Sequence, residues 1–174
     1  MKPVALGLVV CALLAPLGAG AADQYREQRI KTAFLVNFAR FVTWPPVTFR
    51  SATSPIELCI LASDAFGVVL ADVAKDKAVN ERPLRISRVF RAEDLRGCHI
   101  AYLEDAAAAP RNLAGLANHH VLTVHENDAT QPNGVMRFYI EDNRIRFEVN
   151  LAAARREDLQ FSAKLLGLAS IVEQ

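Results

Sequence analysis

Between residues 24 and 42 the apolar residues Ile30, Ala33, Phe34, Phe38 and Phe41 recur at helical spacing with no internal Gly or Pro. This pattern predicts an α-helix that buries that stripe. Trp44-Pro45-Pro46 ends it, because a residue before proline is pushed towards extended geometry and two prolines supply no backbone donor. A loop over residues 47–55 leads into an apolar run, Ile56–Leu61, that reads as a strand. Ser63 or Asp64 is placed to cap a helix over residues 65–75.

Further strands are predicted over residues 84–90, 98–103 and 119–125, with one helical turn at 92–95 and a helix opened by Pro110. The pattern changes after Asn127. Pro132-Asn133-Gly134 forms a turn, and two alternating runs, 135–140 and 144–149, are joined tightly at Glu141-Asp142-Asn143. Met136, Phe138, Ile140, Ile145, Phe147 and Val149 make one face of this antiparallel hairpin apolar, while Arg137, Tyr139, Arg144 and Arg146 make the other wet. A closing helix is predicted over residues 159–172, buried through Leu165, Leu166, Leu168, Ala169 and Val172. Alternating strands and helices followed by a hairpin imply an α/β fold, a single-domain three-layer sandwich whose mainly parallel sheet is extended by a C-terminal antiparallel hairpin.

The N-terminus stands apart from this pattern. Met1-Lys2, an apolar block from Val4 to Leu17 and small residues up to Ala22 read as a secretory signal peptide, residues 1–22, leaving one domain at 23–174. Cys11 lies inside the apolar block without a lipid-attachment context and leaves with the peptide. No later apolar run reaches the roughly 18 residues that a membrane span requires. With 20 basic and 19 acidic side chains, the chain carries no clustered basic excess of the kind nucleic-acid binding needs.

Secretion changes the meaning of the cysteines. Cys59 and Cys98 remain, and in an oxidising compartment they are expected to form a disulfide; two buried free thiols are the alternative. The bridge would stabilise the fold by about 4 kcal/mol in the chain-entropy model.

There is no G-x-x-x-x-G-K-[ST] loop, no G-x-G-x-x-G and no G-x-S-x-G elbow. Ser162 and Lys164 stand two positions apart on an expected helix, about 200° round, so they do not form a dyad. His119, His120 and His125 resemble a metal cluster, yet on a strand the outer two lie roughly 20 Å apart. A hydrolase using His119 or His125 with Glu126 is the weakest reading, and no catalytic residue, metal or cofactor is assigned. His99 reads as a packed or capping histidine. Asn37, among Phe34, Val36, Phe38 and Phe41, reads as a buried amide that pins the helix to a loop.

Arg82, Arg85, Arg88, Arg91 and Arg96 concentrate guanidinium groups in one short stretch, either to grip an acidic partner or small anion, or to keep an edge strand soluble. Arg40, Trp44, Arg85, Arg88, Arg137 and Tyr139 are therefore the candidate contact residues, of types that suit partner or ligand surfaces.

The ordered set Lys31-Thr32-Ala33-Phe34-Leu35-Val36-Asn37-Phe38-Ala39-Arg40-Phe41-Val42-Thr43-Trp44-Pro45, Ile56 to Leu61, Arg82-Pro83-Leu84, Cys98-His99-Ile100, Phe147-Glu148-Val149-Asn150 and Lys164-Leu165-Leu166 resembles the YfiR-like periplasmic proteins. Lys31, Asn37, Phe38, Phe41 and Pro45 carry the structural motif. The resemblance implies a non-enzymatic repressor with a compact α/β fold that dimerises. Its partner would be the periplasmic sensor domain of an inner-membrane diguanylate cyclase, and an outer-membrane lipoprotein that binds peptidoglycan would sequester it. Cys59 and Cys98 match the core bridge of that family, while a second cysteine pair carried by some members is missing. A periplasmic small-ligand sensor domain, with Arg40, Trp44 or the arginines near Arg85 lining its pocket, is the alternative.

Overall fold

A computed structural model describes residues 19–61, 64–104, 116–126 and 134–173. Helix α1 (Ala19–Phe41) leads into a two-residue strand β1 (Val42–Thr43) and a 3-10 turn at Pro46–Thr48. Strand β2 (Ile56–Leu61), helix α2 (Asp64–Ala74), the short strand β3 (Ala78–Val79) and β4 (Arg82–Arg88) follow. A second 3-10 turn, Ala92–Gly97, precedes β5 (Ile100–Leu103), β6 (Leu122–His125), β7 (Met136–Glu141) and β8 (Arg144–Asn150). The chain closes through α3 (Leu151–Arg156), β9 (Gln160–Phe161), α4 (Ala163–Leu166) and β10 (Ser170–Val172). The signal peptide lies almost wholly outside the described residues, as do the helix expected from Pro110 and the turn residues Pro132 and Asn133.

Eight strands form one sheet in the order β10-β8-β7-β6-β5-β2-β4-β3. The run from β4 to β7 is parallel throughout, and the antiparallel pairs are β7 with β8 and β3 with β4. The α/β architecture with an added hairpin is therefore as expected. Asp142 and Asn143, both at positive φ, make the two-residue loop of that hairpin, the conformation whose twist matches the flanking strands.

The order also explains the two cores. From β2 the chain moves one way to β4, and from β4 it moves back across β2 to β5 and on to β6. Crossovers of one hand made in opposite directions land on opposite faces of the sheet. Accordingly, Phe66 and Leu70 of α2 join the larger core with Leu58, Ile60, Tyr102 and Val124, whereas Leu95 and Leu116 form a smaller one with Cys59, Cys98 and Leu103. Helix α1 covers the larger core over the β7–β8 half, where Phe34 and Phe38 meet Phe138 and Phe147 at ring separations of 5.1–5.9 Å.

Helix α1 is real but turned from the expected stripe. The buried positions are Gln28, Lys31, Thr32, Leu35, Val36, Phe38 and Ala39, while Ala33 and Asn37 are exposed and Ile30 largely so. Periodicity counted apolar residues only, and this face admits three polar ones, of which Lys31 is paired with the part-buried Glu126. Asn37 is thus a solvated residue and pins nothing.

The closing helix of residues 159–172 is not formed. Leu159 and Leu165 are buried, but the segment is broken into β9, α4 and β10, and Leu168 is exposed. Strand β9 pairs antiparallel with β1, and β10 extends the sheet parallel to β8. Ser162 starts the four-residue α4 as its cap, accepting from the Leu165 N–H at 3.2 Å. The helix that the pattern missed is α3, capped by Asn150, whose side-chain oxygen accepts from the Ala153 N–H at 2.9 Å. Smaller shifts place β4 two residues early, start β5 at Ile100, and leave His119 and His120 outside β6.

Candidate functional site

In a sheet of this order the strand sequence reverses between β2 and β5, and the carboxyl ends there are where such folds place binding groups. Here the crevice is filled by aromatics: Phe66 from the start of α2 stacks on Tyr102 of β5 at 4.4 Å. Beside them a polar network joins three elements. The Tyr102 hydroxyl donates to Glu126 Oε1, just beyond β6, and Lys31 Nζ of α1 donates to Glu126 Oε2 at 2.7 Å and pairs with Glu27 at 2.5 Å.

Burial disfavours the Lys31 charge, but its hydrogen bonds to Glu126 and Glu27 and their fields outweigh it, so the ammonium is held above its ordinary pKa. Burial, reinforced by the Glu126 charge, pushes the Tyr102 phenol far above its usual range and keeps it a donor. Both oxygens of Glu126 are therefore engaged. Such a network orients α1 against β5 and β6 and leaves no base paired with a nucleophile. The Lys31 of the sequence motif has its physical role here, whereas Tyr102 and Glu126 were not foreseen as its partners, because sequence spacing carries no sign of a contact 95 residues long.

The six candidate contact residues do not converge. Trp44 is buried, 6% exposed, and its indole N–H donates to the His99 carbonyl at 3.1 Å, so it is a plug at the helix end and not part of the surface. Arg40 is exposed at the end of α1. Arg85 and Arg88 sit an odd number of positions apart on β4 and therefore face opposite sides of the sheet: Arg85 pairs with Glu57 at 2.9 Å, and the Arg88 guanidinium lies 4.9 Å from the Phe90 ring centroid. Arg82 is used internally, with Nη1 on the carbonyls of Ser51 and Ser54 at 2.9 Å and its guanidinium 3.8 Å from the Phe49 ring centroid. The arginine cluster of the sequence is thus divided among separate duties.

On the hairpin, Arg137 grips Glu148 through two bonds of 2.9 and 2.6 Å, and Tyr139 bonds Ser170 at 2.7 Å across β8. Phe38 is at the centre of the core and Phe41 is partly buried, with Lys164 over its ring at 5.5 Å. Lys164 is thereby turned to an aromatic ring, and Ser162 to its capping bond. Pro45 accepts from Thr48, through the amide at 3.1 Å and the hydroxyl at 2.8 Å, closing the turn after Trp44.

Cys59 and Cys98 form a disulfide, with Cα atoms 5.9 Å apart, tying β2 to the entrance of β5. Next to it a cavity of about 470 Å³ is lined by Thr48, Ser54, Glu57, Arg85, Asp94 and His99, among others, but by neither Arg40 nor Trp44. His99 is sandwiched against Phe49 at 4.5 Å, and its Nδ1 accepts from the Glu57 N–H at 3.1 Å, which places the neutral ring's proton on Nε2. Burial, with the Arg82 charge, lowers its pKa and keeps it neutral.

The remaining histidines serve the backbone. His125 Nδ1 faces the Glu126 carbonyl at 2.9 Å, and burial and the Arg137 charge lower its pKa. Glu157 receives the N–H groups of Asn118, His119 and His120 at 2.9–3.1 Å, holding the chain as it enters β6. Among the described residues no group of three His, Cys, Asp or Glu side chains is placed to hold a metal, and no helix is long and apolar enough to cross a membrane.

Comparison with known proteins adds one positive finding. A family model described as YfiR/HmsC-like matches residues 28–170, more than half of the 174-residue chain. It spans every element described above except the first turns of α1 and the end of β10. No curated protein matches the chain.

Proposed function

The chain belongs to the YfiR/HmsC-like family, and from that premise we propose that it is a non-enzymatic periplasmic regulator. It binds the periplasmic sensor domain of an inner-membrane diguanylate cyclase and holds that enzyme inactive, lowering cyclic di-GMP and biofilm formation. An outer-membrane lipoprotein with a peptidoglycan-binding domain relieves the repression by sequestering it, and the repressor acts as a homodimer. The family match over residues 28–170 carries this reading. Two further features support it: the N-terminal segment read as a signal peptide, and a disulfide suited to an oxidising compartment.

The mechanism is a shift of populations. A repressor with higher affinity for the inactive sensor moves the cyclase towards that state by the ratio of its two affinities, and moving it from one part in a hundred to nearly all needs a ratio of about 10⁴. The polar network described above contributes by fixing α1 on the sheet, so that the docking surface is presented in one shape. Deleting the gene is expected to raise cellular cyclic di-GMP, and restoring it to lower the level again. An unchanged level in both strains would sink the reading.

The cavity beside the disulfide favours a second reading, a small-ligand sensor acting on a different membrane receptor, with Arg85, Glu57 and His99 as ligand groups. A thermal-shift screen separates the two, since a ligand at a hundred times its dissociation constant adds about 2.7 kcal/mol of stability.

A further inference from the structure

The larger core runs out towards the tip of the β7–β8 hairpin. Phe138 and Phe147 are register partners that pack against Phe34, and the next pair on the same face, two residues further along each strand, is Ile140 with Ile145. On α1 the stripe facing this pair is Asp23, Arg26, Glu27, Ile30 and Phe34, spaced at three and four residues. The two walls do not meet. A cavity of about 510 Å³ lies between them, with Ile30, Phe34, Ile140 and Ile145 as its apolar lining, and Ile30 and Ile140 stay 40% and 61% exposed. It shares no lining residue with the cavity beside the disulfide.

The charges at the rim are unequally used. Glu27 is held by Lys31 at 2.5 Å. Asp23 and Arg26 on the helix wall and Arg144 on the hairpin wall are exposed and form no ion pair among the described residues. Two guanidinium groups against one open carboxylate leave a single positive charge in excess, and a guanidinium presents its donors as a planar fork that matches a carboxylate. The volume lies in the range of roughly 300–1,000 Å³ that small-molecule sites occupy. A neutral apolar molecule would leave the rim unused, and a small polar anion would leave the four apolar side chains wet. A monoanion with an apolar body serves both, its chain on the lining and its head in the water at the rim.

We propose that the groove between α1 and the β7–β8 hairpin binds a small monocarboxylate amphiphile of the medium-chain fatty-acid class, with its chain on Ile30, Phe34, Ile140 and Ile145 and its carboxylate on Arg26 and Arg144. The site does not depend on which receptor the protein represses.

The test is NMR on the protein with labelled isoleucine methyl groups, titrated separately with octanoate, octanol and butanoate. Octanoate is expected to shift the methyl signals of Ile30, Ile140 and Ile145. Octanol, which has the chain without the charge, is expected to shift the same signals with about fivefold weaker affinity, the scale of exposed ion pairs. Butanoate, which has the charge without most of the apolar contact, is expected to leave them in place. Arg26→Gln combined with Arg144→Gln lowers the octanoate affinity to that of octanol and leaves octanol binding unchanged, which also shows that the variant is folded. Octanol binding as tightly as octanoate, butanoate matching octanoate, an undiminished octanoate affinity in the double variant, or no shift of the three isoleucines at millimolar octanoate would each overturn the proposal.

Discussion

Lys31 shows how a residue that looks misplaced on a helix face becomes the reason for that face. Its side chain is 10% exposed and its ammonium is neutralised by Glu126 and Glu27, so replacing it leaves a carboxylate poorly solvated beneath α1. Lys31→Met is expected to cost about 3 kcal/mol in denaturant unfolding, and Lys31→Met with Glu126→Gln less than the sum of the single losses. An additive pair would show that the two side chains are independent. The histidines set the acid response. His99 and His125 are both held below their ordinary value of 6.5, so they stabilise the fold while neutral. The sign follows from proton counting: below pH 6.5 the unfolded chain takes up protons that the folded chain refuses. Stability is therefore full above that pH and falls as pH drops through the lowered folded values, by at most about 1.4 kcal/mol per pH unit for each histidine. Urea unfolding at a series of pH values checks this, and a flat profile between 7 and 5 would refute it. Residue types alone gave a partial view here. His99 was legible as a packed histidine, but the burial of Trp44, read as a contact residue, was not, because an indole looks the same on a surface as it does when its N–H finds a buried carbonyl.

At the scale of elements, sequence pattern succeeded where one physical signal dominated. Alternation marked the β7–β8 hairpin and an apolar run marked β2, since a half-buried or fully buried strand leaves few other arrangements for such residues. It failed at the C-terminus, where Leu159 to Val172 is apolar enough for a helix but is divided by local capping. Asn150 and Ser162 each accept from the amide three residues on, and those short-range bonds outweigh the helical period. Asn150→Ala is expected to cost about 1 kcal/mol through the lost cap of α3. Hydrogen exchange at the Ala153 amide should rise in that variant, and unchanged exchange would show that the cap carries no stability. Strand order was closed to the sequence for a different reason: alternation reports which face a residue occupies and not which strand lies beside it.

For the whole molecule, the disulfide and the family relationship carry the account. The bridge closes 39 residues of chain and joins β2 to the entrance of β5. Cys59→Ser with Cys98→Ser is expected to lower stability by about 4 kcal/mol, measurable as a shift of the urea midpoint, and a shift near zero would remove the bridge from the account of stability. The candidate contact residues were legible only as types, since a flat interface is assembled by the fold from distant positions and leaves no spacing in the chain. The central claim, repression by direct contact, is tested most directly by crosslinking the tagged protein in living cells and identifying the captured membrane proteins by mass spectrometry. Capture of a diguanylate cyclase through its periplasmic domain, weakened in the cysteine variant, is the predicted result. Self-crosslinks alone, from protein that is folded and abundant, would contradict it.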